Sequence, residues 1–460
     1  MIDIQSDSRK IKQGDTFIAL RGISSDGHDY IYKAIENGAT KIIAEEGNYP
    51  VETLIVPDTR KYLNEYLSSH YDSKLNEMNI IAITGTNGKT TTAKLIHDSL
   101  NILGSKTAYI GTIGFYIEKK VCDLPNTTVD ICDTYALLME AYDKGCNNVV
   151  MEISSHASSM GRVETLNFDY AIFTNLTQDH LDYHKTMGNY ALAKQKVFDK
   201  LKTGGTAIIN SDDKYNEYFL LEKNKNITYG FEESDYQILD YAMTNDSSIF
   251  TYKHKENNYQ IHSLLLGKYN IYNVLAVISL LSEMGLKYEQ IHETICKLNA
   301  PVGRMEIIKR NNNNIIIDYA HTPDAIEKVI GATKEFTEGN IYIVFGCTGD
   351  RDRIKRPIMT DIVAKASKYF IITNDDPHYE EPSDIVDDMV KDLEFNNYEV
   401  LLDREEAIIK GISLLEEKDA LLVLGKGHEE FMIIKDKKIP FNDRQIVESY
   451  LNSMKDGEAC

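Results

Sequence analysis

The sequence predicts an α/β protein assembled from more than one parallel sheet. Three observations carry this. Apolar runs rich in β-branched residues recur along the chain, and each breaks into polar residues at its carboxyl end. Helical patterns follow several of these runs. At 460 residues the chain has material for two to four domains, and 42% hydrophobic against 26% charged residues is an ordinary globular balance.

Residues 1–78 contain short strand-like runs at 16–20, 41–44 and 54–56 and a helical pattern at 30–37, which suits a small α/β domain. The polar stretch 69–79 reads as a first linker. Residues 80–83, Ile-Ile-Ala-Ile, then read as a buried parallel strand. The strand breaks into Gly85, Thr86, Asn87, Gly88, Lys89 and Thr90, with Thr91 following, and a helix begins with Ala93, Leu95, Ile96 and Leu100. Strand, glycine loop and helix in that order form a phosphate cradle: glycines let backbone N–H groups approach phosphate oxygens, Lys89 reaches the terminal phosphates, and Thr90 can ligate Mg²⁺. Ile83 stands where the strict Walker pattern has its first glycine. The alternative is a strand–turn–helix with a chance Gly-Lys-Thr.

Strand runs at 149–156, 170–176 and 206–213 continue the pattern, and ligands of doubly wound sheets bind at the carboxyl ends of strands. Glu152 sits at one such end and can complete the coordination of Mg²⁺ held by Thr90; alone, it could instead pair with a lysine. His180 follows another strand end beside Asp179 and near His184; alone, it reads as a structural histidine. Lys194 lies on a predicted helix, where a lysine is ordinarily a solvated charge. Asn126, Thr127, Thr128 and Arg162 offer hydroxyls and a cation to a polar or anionic substrate. Residues 230–262 alternate and read as peripheral antiparallel strands, and residues 267–276 lead into a helix with few charges.

A second boundary falls near Ala300-Pro301-Val302-Gly303-Arg304. Beyond it, runs at 315–323, 341–350, 369–377 and 420–429 predict a separate parallel-sheet domain with its own site. The asparagines at 311–314 read as a polar loop. Arg351 with Asp350, Asp352, Arg353, Lys355 and Arg356, Asp375 with Asp376 and His378, and Gly425 with Lys426 and Glu429 mix acid and base at strand ends. That mixture suits a zwitterion such as an amino acid, with salt bridges between domains as the alternative.

The composition also excludes functions. A net charge of −21 argues against sequence-independent nucleic-acid binding and against anionic membrane surfaces. No apolar stretch is long enough for a membrane helix, and the first ten residues contain no apolar signal core. The six cysteines (122, 132, 146, 296, 347 and 460) show neither a CxxC pair nor metal spacing, which points to reduced thiols and a cytoplasmic protein.

Taken together, Asp7-Ser8-Arg9, the 85–90 loop, Asn126-Thr127-Thr128, and residues 151–156, 174–184, 303–306, 318–323, 349–357 and 425–429 closely resemble the Mur ligase family over nearly the whole chain. Within it they resemble the members that add a third amino acid to UDP-N-acetylmuramoyl-dipeptide. The loop alone would indicate only the wider group that includes folylpolyglutamate synthase. The resemblance implies three domains: 1–78 binding the UDP substrate, 79–302 a central P-loop ATPase sheet, and 303–460 a Rossmann-like parallel sheet that binds the amino acid. It implies ATP-dependent amide formation through an acyl phosphate, with Mg²⁺, a UDP-muramoyl-dipeptide and a free amino acid as partners, by a cytoplasmic monomer.

The implied roles are specific. Thr90 and Glu152 resemble ligands of the nucleotide-bound magnesium, and Glu152, His180 and Lys194 resemble a second-metal site whose lysine is carbamylated. Ser8 resembles the uridine contact. Asn126, Thr127, Thr128, Ser154 and Arg162 resemble the binders of the muramoyl peptide, and Asn273, Arg304, Asp318 and His321 resemble nucleotide contacts. Arg351, Asp375, Asp376, His378, Gly425 and Glu429 fall where the family holds the incoming amino acid. Two departures stand out. Met160 replaces a glutamine present in some members. The Asp-Asn-Pro-Arg motif of diaminopimelate enzymes is here Asp375-Asp376-Pro377-His378, which removes a bidentate arginine. L-lysine is therefore the expected amino acid. A paralogue joining a different amino acid or peptide, and a non-catalytic nucleotide-binding subunit, are the rival expectations.

Overall fold

The computed structural model describes residues 2–22, 25–244 and 246–458; Cys460 lies outside them. The chain divides into two compact units, 1–229 and 230–460.

The first unit opens with a four-stranded parallel sheet, β1 (Ile4–Gln5), β2 (Thr16–Ile18), β3 (Lys41–Ala44) and β4 (Glu52–Ile55), with helix α1 (Ile31–Glu36) between β2 and β3. Helix α2 (Thr59–Leu75) follows. The expected linker at 69–79 is mostly helix. Leu63, Leu67, Tyr71 and Leu75 recur every four residues and pack into the core, and the Asp58 carboxylate caps the first turn by accepting from the Lys61 N–H at 2.9 Å. Only residues 76–78 connect the helix to the next strand.

That strand, β5 (Asn79–Thr84), is the predicted apolar run, and α3 (Lys89–Ile102) is the predicted helix after the loop. Then come β6 (Thr107–Gly111), β7 (Gly114–Tyr116), β8 (Lys120–Cys122), α4 (Ile131–Asp143), β9 (Asn148–Glu152), α5 (Ser155–Ser159), β10 (Phe168–Phe173), α6 (Leu181–His184), α7 (Met187–Phe198), β11 (Leu201–Asn210) and β12 (Lys225–Gly230). The sheet order is β12-β11-β10-β5-β9-β6-β7-β8, parallel through β6 and antiparallel beyond. Strand β5 therefore lies between β10 and β9. Its register sets Ile83 against Glu152 and Thr84 against Phe173, so the ends of all three strands converge on the loop.

The second unit begins with the antiparallel strands β13 (Tyr236–Met243), β14 (Ser248–His254) and β15 (Asn257–Ser263), as expected for residues 230–262, and continues with helices α8 (Lys268–Glu283) and α9 (Tyr288–Ile295). A six-stranded sheet follows, built from β16 (Glu306–Arg310), β17 (Asn313–Asp318), β18 (Ile341–Phe345), β19 (Tyr369–Ile372), β20 (Tyr398–Val400) and β21 (Ala420–Leu424). Its order is β16-β17-β21-β18-β19-β20, parallel except at β16. Helices α10 (Pro323–Phe336), α11 (Lys355–Ala366) and α12 (Pro382–Val390) cover one face, with Ile316, Ile343, Phe370 and Leu422 beneath them. Helices α13 (Arg404–Ser413) and α14 (Asp443–Glu458) cover the other, over Ile315, Val344, Ile371 and Leu421. Adjacent residues of one strand thus enter opposite cores, as a sheet buried on both faces requires. A hairpin of β22 (Phe431–Ile434) and β23 (Lys437–Pro440) precedes α14.

The loop expected at 311–314 is a tight hairpin turn instead. Asn311 takes a left-handed φ of 51°, which asparagine tolerates, and β17 already starts at Asn313. The Asn313 side-chain carbonyl accepts from the buried Asp419 N–H at 3.1 Å.

Arg356, expected among substrate-facing charges, belongs to the fold. Its side chain is fully buried, and its guanidinium donates to both oxygens of Glu380 and to Asp388 at 2.8–2.9 Å. Arg353 donates to the same Asp388 at 2.6 Å. Removing the buried cation leaves Glu380 and Asp388 with only the exposed Arg353 and the Asp350 N–H as partners. Arg356→Ala is therefore expected to cost about 3–5 kcal/mol in denaturant-unfolding stability; a loss below about 1 kcal/mol would contradict this role.

Candidate active site

In the first unit the site is built at the end of β5. Gly85 has a φ of +151°, and a Cβ there would stand 1.9 Å from Thr174 Oγ1, so only glycine fits. Thr174 and Asn175, just past β10, bolt the loop down. The Thr174 hydroxyl and the Asn175 amide donate to the Asn87 carbonyl at 2.7 and 2.9 Å, and the Asn87 N–H donates to Asn175 Oδ1 at 3.0 Å. Gly88, with φ +83°, starts α3 without a side-chain cap, which directs the positive end of the helix toward the loop. Thr90 and Thr91 are buried in its first turn.

The loop carries two lysines. Lys89 Nζ donates to the carbonyls of Gly85 at 3.0 Å and Thr86 at 2.8 Å. Lys194, from α7, donates to the same Gly85 carbonyl at 2.6 Å and lies over the Tyr190 ring at 4.6 Å. It is 1% exposed, in contrast to the solvated lysine that its helical position alone suggested. Burial, followed by repulsion from Lys89, pushes its pKa well below the usual lysine value. The Lys194 amine is therefore held toward its neutral form.

Glu152, buried at the end of β9, accepts from the Thr90 hydroxyl at 2.8 Å. Two residues not singled out in the sequence complete its surroundings. Tyr109 donates its hydroxyl to Oε1, and Thr112 donates its backbone N–H at 3.0 Å and its hydroxyl at 3.1 Å. The Thr112 hydroxyl also lies 3.0 Å from that of Thr127, which links the acid to the Asn126-Thr127-Thr128 motif. No sequence signal marks Tyr109 or Thr112; only the register of β6 beside β9 brings them in.

Buried Thr90 and Glu152 present adjacent hard oxygen donors and fit a magnesium ion. Of the residues expected at a second metal, Glu152 accepts from Thr90, Tyr109 and Thr112, and Lys194 donates to the Gly85 carbonyl. His180 is 46% exposed, has a left-handed φ of 53°, and directs Nε2 to Asp179 at 3.4 Å and its ring edge to His156.

The substrate-side expectations fall on structured turns. Ser8 is buried in the turn after Asp7, and Asn126 is exposed. The Thr128 hydroxyl donates to the Glu152 carbonyl and accepts from the Ser154 N–H, and Ser154 caps α5. Arg162 donates to the Thr128 carbonyl at 2.8 Å and pairs with Asp130 at 3.0 Å.

In the second unit Asp318 ends β17, accepting from the N–H groups of Met305 and Ala320 at 2.6 and 2.8 Å. Burial raises its pKa. Arg304 lies 4.6 Å from the Tyr319 ring, His321 is exposed, and Asn273 is buried on α8.

The ends of β19 and β21 form a second site. Asp375, Asp376 and Glu429 bring carboxylate oxygens within 4.8 Å of one another. Lys426, fully buried, sits among them, 2.8 Å from Asp376 and Glu429 and 3.9 Å from Asp375. Burial pushes Glu429 up to about 7 against the pull of Lys426. Burial would lower Lys426, but the three carboxylates outweigh it and its pKa rises. Gly425, with φ +112°, brings the β21 turn against Asp375; a Cβ there would lie 2.4 Å from Oδ2. His378 has a left-handed φ of 49° and is tied by its backbone to Ile433 and Lys435. Arg351 is exposed.

The glycine loop at the end of one parallel sheet suits a nucleotide's phosphates, and the carboxylate cluster at the end of another suits an ammonium group. Comparison with known proteins narrows this. The Mur ligase middle-domain model matches residues 83–281, the Mur ligase glutamate-ligase-domain model 303–427, and the Mur ligase family catalytic-domain model 3–71. The UDP-N-acetylmuramoyl-L-alanyl-D-glutamate–2,6-diaminopimelate ligase of Bacillus cereus is 37% identical over 99% of this chain and 95% of its own length. That of Fusobacterium nucleatum subsp. nucleatum is 40% identical over 96% and 92%. A solved structure of a ligase of that name superposes with a TM-score of 0.70 at 30% identity, covering 98% of this chain and 95% of the other. A MurF ligase from Thermotoga maritima in complex with ADP shares the fold at 17% identity, with a TM-score of 0.69 and 98% of each chain covered. The chain belongs to the Mur ligase family. It has the family's three-domain α/β fold and is an ATP-dependent acid–amino-acid ligase.

The loop geometry yields a direct expectation. Gly85→Ala must displace Thr174 or the loop, so ATP affinity by titration calorimetry should fall at least about tenfold, the effect of losing one charged hydrogen bond. Unchanged affinity would show that the loop does not hold the phosphates.

Proposed function

We propose that this ligase adds the third amino acid of a peptidoglycan precursor, joining a diamino acid to UDP-N-acetylmuramoyl-L-alanyl-D-glutamate in the cytoplasm, as a monomer and with Mg²⁺. The observation that carries the reading is that Lys89 folds onto the glycine loop while Thr90, beside it, donates to Glu152 at the end of β9. Residues 1–78 would bind the uridine end, with Ser8 among the contacts, residues 79–302 the ATP, and residues 303–460 the amino acid. Among the described residues no helix is long and apolar enough to cross a membrane.

In this reading the substrate carboxylate attacks the γ-phosphate of ATP, forming an acyl phosphate and releasing ADP. The incoming amine then attacks the acyl carbon, and the tetrahedral intermediate expels phosphate. Bringing a carboxylate to a polyanion requires charge neutralisation. Lys89 supplies part of it from the loop; a magnesium ion held by Thr90 and Glu152 supplies more when bound. Tyr109 and Thr112 hold Glu152 in place by donating to it. Thr127, through Thr112, ties the muramoyl-peptide motif to the same carboxylate.

Lys194 fits the carbamate role. A neutral amine adds to CO₂, losing one proton and keeping one N–H, and that N–H can still donate to the Gly85 carbonyl. Burial, with repulsion from Lys89, favours the neutral amine. Lys194→Ala should therefore abolish phosphate release while ATP binding by calorimetry persists, and a short carboxylic acid should restore part of the turnover. Full turnover by the variant would refute the assignment.

L-lysine is favoured over meso-diaminopimelate as the amino acid. Asp375, Asp376 and Glu429 offer carboxylates to ammonium groups, while the arginine that would grip a distal carboxylate is His378. The second reading, diaminopimelate, has the names of the relatives in its favour. A screen of phosphate release across diamino acids separates them. The highest kcat/KM is expected with L-lysine, and His378→Arg should improve diaminopimelate by about tenfold, the value of one charged hydrogen bond. A wild-type preference for diaminopimelate would overturn the lysine reading. Release with none of them would favour a paralogue that joins a different amino acid or peptide.

A further inference from the structure

We propose that the buried pair of Arg404 and Asp443 is the positioning device of the C-terminal acidic site, setting the spacing of the two loops that hold the incoming amino acid; this rests on reading that site as the amino-acid site. Arg404 is the first residue of α13, and Asp443 the first of α14. Both side chains are fully buried, and they meet in a two-pronged ion pair, Nε to Oδ1 and Nη2 to Oδ2, each at 2.8 Å.

The rest of the guanidinium holds the site. Nη1 donates to the Asn374 carbonyl at 3.2 Å, and Nη2 donates to the Leu424 carbonyl at 3.0 Å. Asn374 immediately precedes Asp375 and Asp376; Leu424 immediately precedes Gly425 and Lys426. These carbonyls belong to the ends of β19 and β21, which are not neighbours in the sheet, because β18 lies between them. Strand β18 ends in Phe345 followed by Gly346, where a Cβ would stand 2.3 Å from the Thr373 carbonyl, so the β19 loop crosses the β18 end closely. One rigid, planar fork thus spans two loops that no backbone ladder joins.

The consequence appears on the site side. The same loops bring Asp375 Oδ2 against Gly425 and Lys426 Nζ onto Asp376 and Glu429. A shift of either loop would change the carboxylate spacing that an ammonium group meets. Stability alone does not explain the pair. A buried ion pair is often no better for stability than apolar residues of similar volume, whereas only a guanidinium can grip both carbonyls.

The test separates geometry from stability. The double variant Arg404→Met with Asp443→Leu replaces the pair by apolar volume, and Arg404→Lys keeps charge without the fork. Steady-state phosphate release is measured against each of the three substrates in turn, alongside thermal unfolding. The folded double variant, or Arg404→Lys where the double variant does not fold, is expected to raise KM for the amino acid by roughly 10–100-fold, the usual cost of losing a group that orients ligand-binding residues. KM for ATP and for the UDP-dipeptide should be unchanged. An unaltered amino-acid KM, or equal rises in all three, overturns the proposal. Glu429→Gln is run in parallel. If it raises the amino-acid KM while the Arg404 variants do not, the clamp fails and the site reading stands. If Glu429→Gln also leaves that KM unchanged, the site reading fails and takes the clamp with it.

Discussion

The loop after β5 must pass so close to Thr174 that no Cβ can be present at Gly85. Much of the first unit follows from this constraint. With the loop pressed onto the end of β10, Asn87 is gripped by Thr174 and Asn175, and α3 starts where its positive end faces the loop. The Gly85 carbonyl turns inward and receives both Lys89 and Lys194. Burial and the neighbouring Lys89 both lower the pKa of Lys194 there. Backbone sterics at a single glycine thus shape the electrostatics of a lysine on another helix.

The second unit uses the same parallel-sheet logic with the opposite sign of charge. Strand ends gather Asp375, Asp376 and Glu429 where the first unit gathers lysines and an anion-seeking helix end. Three carboxylates within one small volume would repel one another, and burial would protonate some of them. Lys426 opposes this by standing between them, and Arg404 adds a second buried cation whose field reaches Asp375 and Glu429. Burial still wins in part: Asp375 lies above the usual carboxylate value and Glu429 is pushed up to about 7.

Much of this was legible in the sequence because strand–loop–helix order, glycine placement and apolar runs are local signals. The Gly85 to Thr90 loop, the Glu152 strand end and the four parallel strands of the second unit all fall where those signals put them. The failures have physical reasons. Residues 69–75 look polar, yet one leucine or tyrosine per turn suffices to seat a surface helix. Asn313 and Asn314 look like loop, yet they open β17, where the Asn313 side chain and the Asn314 N–H bond to the buried backbone of Asp419. Tyr109, Thr112 and Arg404 carry no motif, because their importance arises only when register and helix packing set them beside Glu152 or between two loops. Arg356 was misread because an arginine beside acidic residues looks alike in sequence whether it faces a substrate or a buried pair of carboxylates.

Lys194 and Lys426 show which effect decides a buried cation. Their exposures are 1% and 0%, so burial works against both charges. Lys194 faces a carbonyl, an aromatic ring and another lysine; the charge of Asp179 only partly offsets the loss of water, and its pKa falls. Lys426 faces three carboxylates, which more than offset it, and its pKa rises. Equal burial therefore moves the two pKa values in opposite directions. Lys194 sits on the Gly85 carbonyl of the glycine loop, and Lys426 sits among three acids. The division of labour between the two sheets is written in which charges surround each lysine, more than in the lysines themselves.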